Sequence, residues 1–280
     1  MNILSSGRNK TLAQFVIFID FVLTMSDLKF PKVGAYRFLV EPFHCDFSDH
    51  IFWGHLGNAM LNAADYHSSE RGYGVSELNK IHKTWVLSRF AIELQETPVS
   101  YDHLIIETWV EAAMKFFTSR NFAVKNADTG HVYGYGRSVW AMIDTDTRQP
   151  TDLLSVHDGL IMQYVEASKP CPIANPGRVV VSADAPFDSS FVAHYSDIDI
   201  NGHVNSVKYI EHVLDLFDVE YYRTHRLQRL EIAYVAESHE GDELAFYKQQ
   251  TGEDAYAVKL VRRGEKNETV VRCSVKFVKD

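Results

Sequence analysis

The sequence predicts an α+β protein built from two tandem domains, each an antiparallel sheet wrapped around one central helix. The first observation is a motif that occurs twice, as DHIFWGHLGN at 49–58 and DIDINGHVNS at 197–206, at an offset of 148 residues (197 − 49). The second is that a helical pattern follows each copy, and the third is that strand-like runs follow each helix. A helix of this kind can bury its apolar face against the sheet that follows it.

The repeat extends well beyond the motif. LSRFAIELQETPVSYDHL at 87–104 aligns with LQRLEIAYVAESHEGDEL at 227–244, at an offset of 140 (227 − 87). SVWAMID at 138–144 aligns with SVKFVKD at 274–280, at an offset of 136 (274 − 138). The decreasing offsets indicate loop deletions in the second copy. Because three matches occur in one order, the sequence predicts a duplicated domain.

The helical patterns come directly after the two motif copies. In the first half the apolar positions are Leu56, Ala59, Met60, Ala63 and Ala64, and in the second half they are Val207, Ile210, Val213, Leu214 and Phe217. Their three- and four-residue spacing predicts one buried face per helix. Gly72 and Gly74 are expected to end the first helix.

Strand-like runs separated by turn signals follow each helix. In the first half they are TWVLSRFAIEL, LIIETWVEAAM and a long run that ends in SVWAMID, with Asp128–Gly130 as a hairpin turn. In the second half they are LQRLEIAYVAES, ELAFYKQQ and a run that ends in SVKFV. One helix with about four strands after it and one before it is the hotdog arrangement. The chain is therefore predicted to be a double hotdog.

The domain boundaries follow from the repeat and from a segment rich in Pro and Gly. Pro150, Pro170, Pro172 and Pro176 break regular structure between the two halves. We therefore predict an N-terminal hotdog at 30–150, a linker at 151–178 and a C-terminal hotdog at 179–280.

Residues 1–29 are predicted to be an N-terminal extension. The apolar run at 12–25 resembles a signal peptide, but Asp20 interrupts it. Its length of about fourteen residues also falls short of the roughly twenty that span a bilayer. Met25 is an alternative start, so we expect residues 1–24 to be dispensable.

Composition excludes several classes of partner. The formal net charge of −9 opposes general binding to nucleic acid or to an anionic membrane. A hydrophobic fraction of 46% with 12% aromatic residues is enough for two cores and an apolar cavity. Cys45, Cys171 and Cys273 are too few and too scattered for a disulfide framework or a metal site, which favours free thiols in the cytoplasm.

Four segments of the chain resemble the acyl-acyl carrier protein thioesterases of plants and bacteria. They are SDIDINGHVNSVKYIEHVLD at 196–215, WVLSRF at 85–90, SVWAMIDTDTRQ at 138–149 and AYVAES at 233–238. The resemblance covers residues 30–280, and the D-x-N-x-H-V-N element is its most specific part. It implies a double hotdog that hydrolyses fatty acyl thioesters, with a catalytic group formed by Asp199, Asn201, His203 and Glu237. Plant members have Cys where this chain has Ser238, so a cysteine nucleophile is excluded here.

These residue types also suit thioester hydrolysis on chemical grounds. The reaction needs an activated water, hydrogen-bond donors for the oxyanion and an exit for a thiolate. The thiolate is a good leaving group because the pKa of its thiol is about 8.5. Asn201, Gly202 and His203 are predicted at the start of the second helix, where free N–H groups and the helix dipole stabilise an oxyanion. Glu237 with His203 is favoured as the base, and direct attack by the carboxylate of Asp199 or Glu237 stays open.

Simpler roles compete with these assignments. Asp197 is interpreted as an N-terminal cap of the helix, and Asp199 can be a second cap. His203 can be a core imidazole and Glu237 a solvated residue. Ser238 would be a nucleophile only with a base in contact.

The polar set is missing from the first half. The residues at the positions of Asp199, Asn201 and Glu237 are Ile51, Trp53 and Thr97. Because His55 alone makes no catalytic site, we infer that the first half holds the acyl chain. Candidate lining residues are Met60, Ala63, Ala64, Trp85 and Trp109, with ordinary core packing as the alternative.

The leading hypothesis is a cytoplasmic hydrolase that releases fatty acid from acyl carrier protein in fatty acid biosynthesis, without metal or organic cofactor. The alternatives are an acyl-CoA thioesterase, a 3-hydroxyacyl thioester dehydratase and a non-catalytic acyl-binding protein. An acidic carrier would meet basic residues at 221–229 or 262–266. No stable membrane insertion is expected, and a homodimer stays open.

Overall fold

The computed structural model describes residues 29–279. Its strands are β1 (Val33–Leu39), β2 (Lys83–Leu94), β3 (His103–Ala113), β4 (Phe117–Asn126), β5 (Val132–Asp144), β6 (Phe187–Val192), β7 (His225–Tyr234), β8 (Glu243–Gly252), β9 (Ala255–Arg262) and β10 (Glu268–Lys279). Its helices are α1 (Trp53–Glu70), α2 (Val75–Asn79), α3 (Ser206–Leu214) and α4 (Val219–Tyr222). Short 3₁₀ segments occur at Pro42–His44 and Tyr195–Asp197, and the span Leu153–Tyr164 holds two more, separated by the non-helical residues 156–159.

These strands form one antiparallel sheet in the order β1-β3-β4-β5-β2-β7-β10-β9-β8-β6. The two halves of the chain meet where β2 pairs with β7. At the middle of that pairing Ala91 lies opposite Glu231, which is its own counterpart in the repeat at the offset of 140 (231 − 91). The register therefore places a pseudo-twofold axis at the β2–β7 junction, and this axis relates the two halves.

The two long helices pack against the sheet and against each other. A Cβ at Gly57 of α1 would lie 3.6 Å from both Ile210 of α3 and Phe90 of β2, so helix, helix and sheet meet at this point. Gly136 of β5 leaves the space that the end of the Met60 side chain fills. Small residues at these crossings allow the close approach that one shared apolar core requires.

This architecture confirms the predicted double hotdog. α1 ends just before Gly72, which has a φ of +80°, and the hairpin between β4 and β5 turns at Gly130 with a φ of +74°. The second helix is shorter than its pattern predicts, because it ends at Leu214 and Phe217 lies beyond it. Phe217 instead packs on Phe277 of β10, with ring centroids 4.8 Å apart.

Arg229 of β7 ties together both halves and the segment between them. Its guanidinium contacts Glu93 of β2 at 2.5 Å and Glu231 at 2.6 Å, and it donates to the carbonyl of Ala174 at 3.0 Å. The Arg229 side chain is only 14% exposed. Removal of either carboxylate would leave this largely buried charge with one carboxylate partner instead of two.

Within residues 29–279, no helix is long and apolar enough to cross a membrane. The apolar run at 12–25 and the alternative start at Met25 lie outside the described residues. The expectation that residues 1–24 are dispensable therefore stays a prediction.

Candidate active site

The second motif copy lines a cleft of about 460 Å³ at the boundary between the two halves. The second half contributes Asp199, Asn201, His203, Ser206, Tyr209 and Glu237, and the first half contributes Thr84–Leu87 of β2, Thr145 and Arg148. The four residues predicted to be catalytic thus face one cavity. Its composition combines two carboxylates, an imidazole, an amide and a guanidinium.

The Asp199 carboxylate organises the loop that carries the other polar residues. Its Oδ1 accepts the backbone N–H of Asn201 at 2.8 Å and that of His203 at 3.3 Å. The Asp199 N–H in turn donates to the His203 carbonyl at 2.8 Å. Gly202, at the tip of the loop, has a φ of +79°, a conformation that glycine adopts without strain. Asp199 therefore fixes the backbone of the loop.

The prediction that residues 201–203 begin the second helix is wrong. α3 begins at Ser206, and the Asn205 side chain caps it by accepting the N–H of Val207 at 3.0 Å. The N–H groups of Asn201 and His203 already donate to Asp199, so they are not free for an oxyanion. Two donors remain beside the cleft. They are the Asn201 side-chain amide, which makes only a long contact of 3.5 Å to Asp199 Oδ2, and the Ser206 N–H, which has no hydrogen-bond partner within residues 29–279.

His203 and Glu237 form the closest imidazole–carboxylate pair in the cleft. His203 Nε2 lies 3.4 Å from Glu237 Oε2, with the two side chains 26% and 38% exposed. This separation is longer than the usual hydrogen bond, and such catalytic contacts often shorten when substrate binds. Glu237 lies just beyond the end of β7 rather than within a strand. The arrangement allows both groups to act on one water.

Arg148 is a site residue that the sequence analysis did not predict. Its Nη2 contacts Glu237 Oε1 across the boundary between the halves. The turn after β5 holds Arg148 at a φ of +59°, and the Arg148 N–H donates to the Asp144 carbonyl at 2.9 Å. The Asp144 carboxylate is held by Lys83 at 2.7 Å and accepts the N–H of Thr147 at 2.9 Å. The first half thus contributes a charged group as well as apolar wall.

Residues later in the sequence contact the Glu237 backbone and the His203 ring. Arg262 donates to the Glu237 carbonyl at 3.0 Å, and the His239 ring packs edge-on against His203 with centroids 5.0 Å apart. Ser238 is fully buried, and the Tyr209 phenol lies beside its hydroxyl. Burial raises the pKa of Tyr209 to about 12, so this neighbouring phenol is no base. Ser238 therefore lacks the contacts of a nucleophile.

Asp197 does not cap α3 as predicted. One of its oxygens accepts the N–H of His194 at 2.9 Å, and the other pairs with His212 Nε2 of α3 at 2.8 Å. Burial raises the pKa of Asp197, but these contacts outweigh burial and lower it. Asp197 therefore ties the segment before the Asp199–His203 loop to the side of α3.

The residues predicted to line the acyl tunnel lie in three different surroundings. Met60, Ala63 and Ala64 of α1 are buried in the main core. Trp85 lines the cleft, and its Nε1 donates to the Tyr73 carbonyl at 2.9 Å. Trp109 is fully buried in a separate apolar cluster with Cys171 and Ile173. A role of these five residues in acyl binding stays a prediction.

The basic residues considered for carrier binding are mostly engaged within the protein. Arg229 is held by Glu93 and Glu231, as described above. Arg223 pairs with Glu220 at 3.0 Å, and Arg262 contacts Glu268 and the Glu237 carbonyl. Within residues 29–279, no group of three or more His, Cys, Asp or Glu side chains could hold a metal ion.

A doubled hotdog scaffold with one polar cleft defines the class of this protein, a double-hotdog protein with a single set of candidate catalytic residues in its second half. Within this class the chain belongs to the acyl-ACP thioesterase family. The model of the family's N-terminal domain matches residues 32–162, and that of its C-terminal domain matches residues 181–279.

Individual relatives agree with this assignment. The chain is 48% identical to an acyl-ACP thioesterase from Bacteroides thetaiotaomicron of known crystal structure, with a TM-score of 0.82 over 88% of this chain and 98% of that chain. It is 30% identical over 203 residues to oleoyl-acyl carrier protein thioesterase 1 of Arabidopsis thaliana, which covers 67% of this chain and 55% of the plant protein. The chain thus spans about half the length of the curated relatives that it matches. The 12:0-ACP thioesterase of Umbellularia californica shares the fold, with a TM-score of 0.77 at 20% identity, over 90% of this chain and 99% of that one.

Proposed function

We propose that the protein hydrolyses the thioester between a fatty acyl chain and acyl carrier protein, releasing a free fatty acid and the carrier's thiol. The observation that carries this proposal is the His203–Glu237 pair beside the ordered Asp199–His203 loop, which the second half supplies to a cleft at the boundary between the two halves. Family membership and the relatives described above support the choice of substrate.

The reaction needs one water and no redox partner. Glu237 and His203 take a proton from the water as its oxygen bonds to the thioester carbonyl carbon. The carbonyl oxygen becomes an oxyanion, and in this proposal the Asn201 amide and the Ser206 N–H stabilise it. The C–S bond then breaks, and the leaving thiolate receives the proton. A thiolate is a good leaving group, so strong acid assistance is unnecessary.

The contacts of the two carboxylates favour the water route over covalent catalysis. Asp199 Oδ1 already accepts two backbone N–H groups, so Asp199 is best suited to hold the loop. Arg148 engages Glu237 Oε1, and Oε2 faces His203, so the carboxylate is oriented toward the imidazole. A carboxylate paired in this way acts more readily as a base for water than as a nucleophile.

The same proposal places the reaction in fatty acid biosynthesis in the cytoplasm. Cys45, Cys171 and Cys273 are free thiols, as expected in a reducing compartment. The partner would be an acyl carrier protein, although its docking surface has to be sought outside the internally paired Arg229 and Arg262.

The proposal is tested by comparing acyl carrier protein and coenzyme A thioesters that carry the same series of acyl chains. We expect thiol release to be faster from the carrier protein at every chain length that reacts. Equal rates on both carriers would refute the carrier assignment. An enoyl product without thiol release would identify a dehydratase, and the absence of both would identify a binding protein.

A further inference from the structure

A second and larger cavity, of about 1200 Å³, lies where the first motif copy meets the second half. It is built in the same way as the cleft. The cleft combines the loop at 199–206 with the start of β2, and the cavity combines the loop at 46–55 with the start of β7. Because the β2–β7 register relates the halves by a pseudo-twofold axis, the cavity is the symmetry counterpart of the cleft.

The repeat also shows which residues of the cleft are replaced at the equivalent positions of the cavity. His55 stands at the position of His203, and it lines the cavity. Ile51, Trp53 and Thr97 line the cavity at the positions that Asp199, Asn201 and Glu237 occupy in the cleft. The carboxylate pair that orders the loop and activates water is therefore replaced by apolar and hydroxyl side chains.

His55 is the one of these four positions at which the cavity keeps the residue type found in the cleft. Its ring stacks on His44 with centroids 4.0 Å apart, and neither of its nitrogens forms a hydrogen bond within residues 29–279. Burial, and then the neighbouring His44, lower the pKa of His55, so the ring is neutral at pH 7. A neutral imidazole can donate one hydrogen bond to a carbonyl or an amide.

The charges around the cavity argue against a free carboxylate as its occupant. Three cationic side chains and three carboxylates line it, so they balance. The cations are Lys208, Arg223 and Arg226, and the carboxylates are Asp46, Glu211 and Asp215. Lys208 is paired with Glu211 at 2.7 Å, Arg223 with Glu220 at 3.0 Å, and Arg226 donates to the Gln95 carbonyl at 2.9 Å. An uncharged ligand would leave these contacts intact, whereas an anion would have to displace the partners of a cation in order to pair with it.

The size and lining of the cavity suit a long apolar ligand with a polar head. Its volume exceeds the roughly 300–1,000 Å³ of most small-molecule sites. Phe52, Trp53, Phe217 and Tyr222 supply apolar wall. α3 lies between the two sites, with Lys208, Glu211 and Leu214 lining the cavity and Ser206 and Tyr209 lining the cleft.

We propose that this cavity is a second binding site, which takes the acyl-pantetheine part of a thioester and does not hydrolyse it. The proposal rests on the proposed function for the class of ligand. Its chemistry follows from symmetry: the cavity keeps the frame and the imidazole of the cleft, lacks the water-activating carboxylate, and offers no unpaired cation.

The test measures binding stoichiometry by calorimetry with S-dodecyl-pantetheine, a thioether that cannot be hydrolysed, on the Glu237→Gln variant. We expect two equivalents to bind. Thr97→Trp fills the cavity and Val86→Trp fills the cleft, so each is expected to reduce the stoichiometry to one. Leu214→Trp serves as a second cavity-filling variant, and thermal melting establishes that each variant is folded.

One equivalent of thioether that neither Thr97→Trp nor Leu214→Trp removes would overturn the proposal. Dodecanoate that binds in the cavity, while the thioether does not, would overturn it as well, because the site would then select the anion. Thiol release by the unmodified protein is measured separately. Hydrolysis with one bound thioether that the cavity-filling variants do not remove refutes this inference alone, whereas two bound equivalents without hydrolysis by the unmodified protein refute the proposed function alone.

Discussion

Glu237 has a different partner on each of its two oxygens, a cation from one half of the chain and an imidazole from its own half. Arg148 and Glu237 are 89 residues apart in sequence, and the repeat provides no reason to pair them. The contact depends on a left-handed backbone at Arg148, a conformation that costs non-glycine residues of the order of 1–3 kcal/mol. Backbone strain of this kind at the edge of a cleft is typical of residues at functional sites.

The first prediction concerns this cation. We expect Arg148→Gln to lower kcat for thiol release by roughly tenfold, because the partly exposed ion pair orients the Glu237 carboxylate. Arg148→Lys should restore part of the loss. The melting temperature should change little, since both side chains are partly exposed. A variant with parental kcat would show that Arg148 does not position Glu237.

The second prediction concerns His67, a fully buried residue of α1. Its Nε2 donates to the Lys32 carbonyl at 3.0 Å, and its Nδ1 accepts from the Tyr73 hydroxyl at 3.2 Å. Burial, followed by the charge of Arg120, lowers the pKa of His67 from 6.5 to about 2. As the pH falls, the unfolded chain therefore protonates His67 before the folded protein does. The free energy of unfolding keeps its full value above pH 6.5 and decreases as the pH falls below 6.5.

The loss from this one residue approaches about 1.4 kcal/mol per pH unit below pH 6.5. Urea unfolding at pH 7.5, 6 and 5 measures it. The His67→Gln variant should be less stable at pH 7.5 but lose less free energy of unfolding between pH 7.5 and 5. The same loss in both proteins would exclude His67 as its source.

At the scale of elements, the loop before α3 shows what the sequence could and could not predict. The pattern of Val207, Ile210 and Val213 correctly predicted a buried helical face. The predicted start at 201–203 is too early, because the interpretation of Asp197 as the cap puts the helix terminus before Asn205, which is the actual cap. Gly202, at a positive φ, instead belongs to a turn that Asp199 closes. A cap formed by the side chain of a residue inside the motif leaves no periodic pattern in the sequence. The start of the helix is therefore evident only from the structure.

The third prediction concerns the conformation of that turn. Gly202 and Gly130 have φ of +79° and +74°, and a Cβ at either would meet no atom within 4 Å. Gly202→Ala and Gly130→Ala should therefore each destabilise the protein by about 1 kcal/mol through backbone strain alone. Only Gly202→Ala should also lower the rate of thiol release, because its loop carries Asn201 and His203. Equal rates of thiol release in the two variants would show that the conformation of this turn does not affect catalysis.

At the scale of the whole molecule, the duplicated domain was predictable from three aligned segments, and the joining of its halves was not. The repeat predicts two similar folds, but it does not state which edges pair. The structure joins them through β2 and β7, and Arg229 adds ion pairs across that junction. A continuous sheet and a shared core predict that the halves unfold together.

The fourth prediction uses the distribution of tryptophan. All four tryptophans, Trp53, Trp85, Trp109 and Trp140, lie in the first half of the chain. Their fluorescence therefore reports on that half, whereas far-UV circular dichroism reports on both. We expect the two signals to show one coincident transition in urea. Separate midpoints would show that the halves unfold independently.

The central claim is that Glu237, paired with His203, activates the water that cleaves the thioester. The most direct test is the rate of thiol release from acyl carrier protein by Glu237→Gln, with Glu240→Gln as a control at an exposed carboxylate nearby. Loss of a positioned base should reduce kcat by about 10² or more in Glu237→Gln, while Glu240→Gln keeps the parental rate. A Glu237→Gln variant that is folded and hydrolyses at the parental rate would contradict the account.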